Sequence, residues 1–264
     1  MMIRISALRR TGLVLAALLA APAAWAQESA PPLPPVPPPP SVYVGDTPTI
    51  ANPQPDHPAY ADLIDSIDST VDRNRLIANG LASIKRQMEA NEALAAAETA
   101  SPGILDEILV SMRPVLESQN QRVTVLYRPR MIAAMADHLT PDEAASVAGF
   151  YRSDIGRKLM GSVVANFNMD QTMATAMSEK PITETEVRAD ISSAVTQGLQ
   201  QMDGADLAEM GRQAMTNPAL LKLQRVNPQI QRLRAQMENE ALTPEEDAMI
   251  GQLIESIFMR RFPQ

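Results

Sequence analysis

The chain has 264 residues, with 23 Lys and Arg against 31 Asp and Glu, 22 Pro, two His and no Cys. Without cysteine there is no disulfide scaffold, no thiolate metal site and no lipid-modified N-terminal cysteine, and two histidines cannot build a three-His metal site. Hydrophobic residues make up 45% and aromatics 3%, so a core must be assembled from Leu, Ile, Val, Met and Ala, a palette that suits helices.

Residues 1–26 read as a secretory signal peptide. Arg4, Arg9 and Arg10 supply its positive start, Leu13 to Ala21 its apolar run, and Ala24-Trp25-Ala26 its small-x-small cleavage pattern, which places the cut between Ala26 and Gln27. The apolar run is about half of the roughly 20 residues that span a bilayer and no later one is longer, so no stable membrane span is expected after cleavage. The mature chain keeps 20 basic against 31 acidic residues, a formal charge of −11. Nucleic acid and anionic headgroups are recognised by clustered Lys and Arg, so they are not expected partners. Export to the periplasm is the expected localisation.

Residues 27–58 hold twelve prolines, eight of them between Pro31 and Pro40. Proline fixes φ and lacks an amide donor, so this stretch is expected to be a disordered or polyproline II linker. It reads as a leader holding the body off the export machinery rather than as a ligand for a proline-binding groove.

Residues 59–264 read as an all-α body. Leu63, Ile64, Ile67, Val71 and then Leu81, Ile84 and Met88 recur at helical spacing, which predicts one long first helix. Asp62, Asp65, Asp68 and Asp72 fall off that stripe and read as a solvated face, lacking the ligand spacing of a calcium loop. Thr140-Pro141-Asp142-Glu143 and Thr243-Pro244-Glu245-Glu246 combine an N-cap hydroxyl, proline at the first helical position and a carboxylate at the third. Thr183 with Glu186 repeats the cap, and Ser101-Pro102, Asn217-Pro218 and Asn227-Pro228 read as further starts. The expectation is a helical bundle of about seven or eight helices.

One segment is more idiosyncratic than generic helix. It runs Tyr127-Arg128-Pro129-Arg130, then His138-Leu139-Thr140-Pro141-Asp142-Glu143, then Phe150-Tyr151-Arg152-Ser153-Asp154-Ile155-Gly156-Arg157-Lys158-Leu159. Over residues 115–177, about a quarter of the chain, this resembles the exported bacterial helical domains gathered as domain of unknown function family 2059, whose pattern ends Phe-Tyr-x-Ser-Pro-x-Gly-x-Lys-Leu. Asp154 stands where that pattern has proline. The resemblance implies export and a helical fold, and it brings no catalytic residues. Sliding the chain by 64 positions sets Ser153 against Asn217 and Lys158-Leu159 against Lys222-Leu223, so residues 184–264 read as a degenerate second copy, with Ala214-Met215 in place of the aromatic pair.

Chemistry-bearing groups are few. His57 sits in the proline tract, where nothing in the sequence holds it, and His138 lies just before an N-cap. No nucleophile elbow, phosphate loop or dinucleotide fingerprint occurs. Met169, Met173 and Met177 stand at four-residue steps, a stripe that reads first as core, then as an apolar groove together with Phe150 and Tyr151, and last as a copper(I) site. No cofactor or metal is expected. The functional expectation is a non-enzymatic envelope domain that binds a protein partner or an apolar ligand. A carboxylate-dependent hydrolase or a structural, stress-protective protein is the alternative.

Overall fold

The computed structural model describes residues 54–263, so the signal segment with Ala26 and Gln27, and the proline tract up to Pro53, lie outside the described residues. Within them every regular element is helical: α1 (Pro58–Ser69), α2 (Arg73–Ala90), α3 (Glu92–Ala100), α4 (Ile104–Ala136), α5 (Pro141–Arg152) and α6 (Asp154–Asn166). There follow α7 (Asp170–Met177), α8 (Glu184–Gln200), α9 (Gly204–Thr216), α10 (Pro218–Glu238) and α11 (Pro244–Arg261). The all-α expectation holds, with more helices than the seven or eight that the start signals give.

One extra helix comes from splitting the expected long first helix, others start at Asn91, Met169 and Asp203, which the sequence reading did not mark, and two expected starts are displaced. The long first helix is two: α1 ends at Ser69, and Asp72 caps α2 by accepting from the Arg75 amide at 3.0 Å. Pro58 belongs to α1 rather than to the linker, and His57 is held as its N-cap, Nδ1 accepting from the Ala59 amide at 3.2 Å. Ser101-Pro102 does not start α4; that helix begins after Gly103, whose φ of 85° favours glycine. A carboxylate from α3 caps it instead, Glu98 accepting from the Gly103 amide at 2.7 Å and the Leu105 amide at 3.1 Å. Asn227-Pro228 is interior to α10, and Pro228 faces solvent, where a missing amide is least felt. Three of the expected starts are capping boxes, at Thr140, Thr183 and Thr243.

The aspartates of α1 are more than a solvated face. Asp62 pairs with Arg152 of α5, Asp65 with Arg128 of α4 at 2.8 Å, and Asp68 lies 3.9 Å from Arg73 of α2. Burial pushes the Asp68 carboxyl up despite Arg73 and Arg128. On its other side α1 lays Tyr60, Leu63 and Ile67 against α5, and the buried Tyr60 hydroxyl donates to the Leu139 carbonyl at 2.9 Å.

The 33-residue α4 is the spine. At 1.5 Å per residue it runs about 50 Å, and α1, α2, α10 and α11 all pack on it. Its interior prolines, Pro114 and Pro129, are exposed. Around it α6 packs on α8, and α7 bridges α2 and α8. Among the described residues, no helix is long and apolar enough to cross a membrane.

Candidate functional site

Four of the five residues expected to line a groove are core. Tyr151, Met173, Met169 and Phe150 are 0–3% exposed and Met177 is half-buried. Phe150 and Tyr151 meet edge to face at 5.5 Å. The Tyr151 hydroxyl has no hydrogen-bond partner, and burial pushes its pKa far up. Met169 is not helical: it is the residue before α7, and its side chain cannot cap. Three groups do that work from outside. The Met169 amide donates to Ser83 Oγ at 3.1 Å, and Arg86 of α2 bridges Ser83 Oγ and Asp170. Asp190 of α8, itself buried, accepts from the Gln171 and Thr172 amides at 3.1 and 3.0 Å. Burial raises the Asp190 pKa against those bonds.

Open surface lies next to this anchor, where two loops meet. The first joins α7 to α8 and turns at Glu179, whose φ of 59° is a left-handed conformation costing about 1 kcal/mol or more in a non-glycine residue. The second joins α10 to α11. One side chain ties them: Asn239 Oδ1 accepts from the Ile182 amide at 2.9 Å while its Nδ2 donates to the Ile182 carbonyl at 2.7 Å. The carboxamide thus makes the pair of bonds that a neighbouring strand would make. Arg122 of α4 braces the second loop, donating to the Ala241 carbonyl at 3.0 Å and to Glu246 at 2.8 Å.

Between the loops runs a cleft of about 510 Å³ with Ala176, Pro181, Ile182 and Leu242 on its apolar side. Its polar lining is Glu179, Lys180, Glu238, Asn239 and Asp247. A second depression, of about 510 Å³, shares Ile182 and Asn239 and continues past Tyr127 and Arg232. A third, of about 530 Å³, shares Lys180 and Pro181 and follows α7. Residues 180–183 therefore stand as a ridge within one open band.

The floor of the cleft is charged from below. Glu238 lines it at 5% exposure, and one turn back Arg234 is buried with Nε and Nη1 lacking hydrogen-bond partners. Burial lowers the Arg234 pKa to about 10, opposed by Glu238 and Asp68. On the second depression the Tyr127 hydroxyl donates to Glu240 at 2.9 Å, and Arg130 sits 5.0 Å over the Tyr127 ring.

This arrangement offers shape, apolar contact, hydrogen bonds and negative charge. A hydroxyl–carboxylate contact on the band, Thr183 with Glu186, belongs to the α8 capping box. His138 Nε2 meets Gln229 Oε1 at 3.2 Å and His57 caps α1, and neither lines the cleft. The two carboxyls pushed up by burial, Asp68 and Asp190, are elsewhere too. Among the described residues no three His, Cys, Asp or Glu are placed to hold a metal ion. Sequence reasoning missed Ile182, Asn239 and Leu242. The Thr183 and Thr243 caps were its only signal, since each marks the end of one of the two loops.

Residues 128–179 match the model of an uncharacterized protein family conserved in bacteria, DUF2059. The match agrees with the resemblance read from the Phe-Tyr-x-Ser segment. DUF2059 similarity covers the end of α4 and all of α5, α6 and α7 and stops at Glu179, so of the cleft lining it includes Ala176 and Glu179, while Ile182 and the 238–247 wall lie beyond it. No curated protein and no solved structure matches the chain.

Proposed function

We propose that this chain is a bacterial cell-envelope binding domain, exported to the periplasm behind a cleavable leader, that holds a partner in the cleft between the α7–α8 and α10–α11 loops. The observation that carries the reading is the Asn239 clamp on Ile182, which fixes two loops into an open band with an apolar side. Preformed concave surfaces with a few placed polar groups are the usual form of a binding site. A hydrolase working with carboxylates alone would set two buried acids face to face. Of the acids lining the cleft Glu238 is buried, Asp247 is half-buried and Glu179 is exposed.

The test is native mass spectrometry of the protein purified from its own envelope, beside Leu242→Arg. Leu242 is half-buried, so the variant fills the cleft while a thermal melt checks the fold. The expected result is a carried molecule or partner on the parent that the variant has lost. Identical mass profiles for the two folded proteins would defeat the reading.

A further inference from the structure

We propose that Met215, Met249 and Met259 are reversible oxidation sites, at which a hydroperoxide is reduced on the surface while the fold stays intact. The chain has no cysteine and 16 methionines, so thioether is its only oxidisable sulfur. Fourteen of the methionines lie among the described residues, and they divide sharply. Nine are no more than 5% exposed, among them Met135, Met160 and Met173, while Met177 and Met202 are half-buried. The remaining three, Met215, Met249 and Met259, are 87%, 51% and 62% exposed.

Packing does not account for these three. Met210 is the one buried side chain of α9, and α11 turns Ile250, Ile254 and Ile257 inward, which leaves Met249 and Met259 outside that stripe. A helix surface needs helix formers, and Lys, Glu or Gln would serve there without exposing apolar area. What methionine alone brings to a solvated position is a polarizable, oxidisable sulfur. None of the three lines the cleft, so this chemistry is separate from binding.

The step balances with peroxide as the oxidant. The sulfur lone pair attacks one peroxide oxygen, and an S–O bond forms as the O–O bond breaks. The proton of the transferred oxygen passes to the departing one, which leaves as water or an alcohol. Sulfur is oxidised by two electrons and the peroxide is reduced. The sulfoxide is strongly polar, which costs little where the side chain is already in water and much in the core. Return to the thioether is the work of methionine sulfoxide reductases, one for each epimer.

The test is a time course in dilute hydrogen peroxide, read site by site by peptide mass mapping. Oxidation at Met215, Met249 and Met259 is expected to run at least about tenfold faster than at the buried methionines, with an unchanged thermal melt once these sites are oxidised. A mixture of the two reductases is expected to restore the starting mass. The combined variant Met215→Leu, Met249→Leu and Met259→Leu is expected to fold alike and to lose the fast phase of peroxide consumption. Comparable rates at exposed and buried methionines, a fast phase that survives in the variant, or unfolding on oxidation of these sites would each overturn the inference.

Discussion

The helix pairs α5–α6 and α9–α10 are built on the same local arithmetic and end in different places. Each begins with a capped helix carrying an acid at its third position, Glu143 after Thr140 and Asp206 after Asp203. In each a single residue, Ser153 or Asn217, ends one helix and caps the next, and a lysine follows five positions later. The pairs then engage reciprocally: Lys158 donates to Asp206 at 2.6 Å, and Lys222 pairs with Glu143. Burial diverges. The α5 helix buries five side chains including Phe150 and Tyr151, whereas α9 buries Met210 alone and leaves Met215 87% exposed. The corner explains part of this. A Cβ at Gly156 would sit 2.1 Å from the Phe150 carbonyl oxygen, so the first corner closes on itself, while the counterpart position in α10 is the buried Leu220. Asn217, at φ −118° and ψ 86°, and Ser153, at −69° and 161°, also hold different backbone conformations. Caps set where helices begin, and the residue just past the corner decides how tightly two helices fold together.

The sharpest way to break that comparison is the corner itself. Gly156→Ala is expected to cost about 3 kcal/mol or more in urea unfolding, because the obstacle is backbone and cannot rotate away. Leu220→Ala should cost about 2–4 kcal/mol by the opposite mechanism, an unfilled core. A harmless Gly156→Ala would show that the two corners do not differ as described. Next come the caps. Thr140→Ala and Asp203→Ala should each lose about 1 kcal/mol in thermal or denaturant melts, since both side chains satisfy a helix amide. An unequal loss would mean that the weakly packed α9 frays regardless of its cap.

The smallest effect is electrostatic. Burial pushes the Glu143 carboxyl up, but Lys222 and the Thr140 amide outweigh it and hold the pKa below the ordinary 4.5. A folded pKa below the unfolded one stabilises above about pH 4.5 and is lost as pH falls through the folded value. Lys222→Met should therefore raise the Glu143 titration seen by NMR and cost about 0.5 kcal/mol at neutral pH, with the difference from the parent shrinking in acid. An unmoved Glu143 titration would place the control of that carboxyl elsewhere.

Where a structural feature is local, the sequence was readable. The three Thr-Glu capping boxes and Asn217-Pro218 mark real helix starts because every atom involved lies within four residues. Asn227-Pro228 has the same letters and no boundary, because an exposed proline can be carried inside a long packed helix. The α4 start was misplaced because Glu98 reaches across a turn to serve amides that a local reading assigns to Ser101. Periodicity showed which side of α1 the aspartates occupy but not that Arg128 and Arg152 stand opposite. The cleft was illegible for the same reason: its walls are 57 positions apart at the Ile182–Asn239 contact, and no pattern within either loop reports the other.

The anchoring of α7 bears on how such proteins can be cut. Similarity to the family ends at residue 179, yet the groups that secure the first turn of α7 are Ser83 and Arg86, upstream of that segment, and Asp190, downstream of it. A fragment trimmed to the similar stretch would carry the helix without its fastenings. The stretch that matches the family and the set of residues that fastens its last helix are, in this molecule, different lengths of chain.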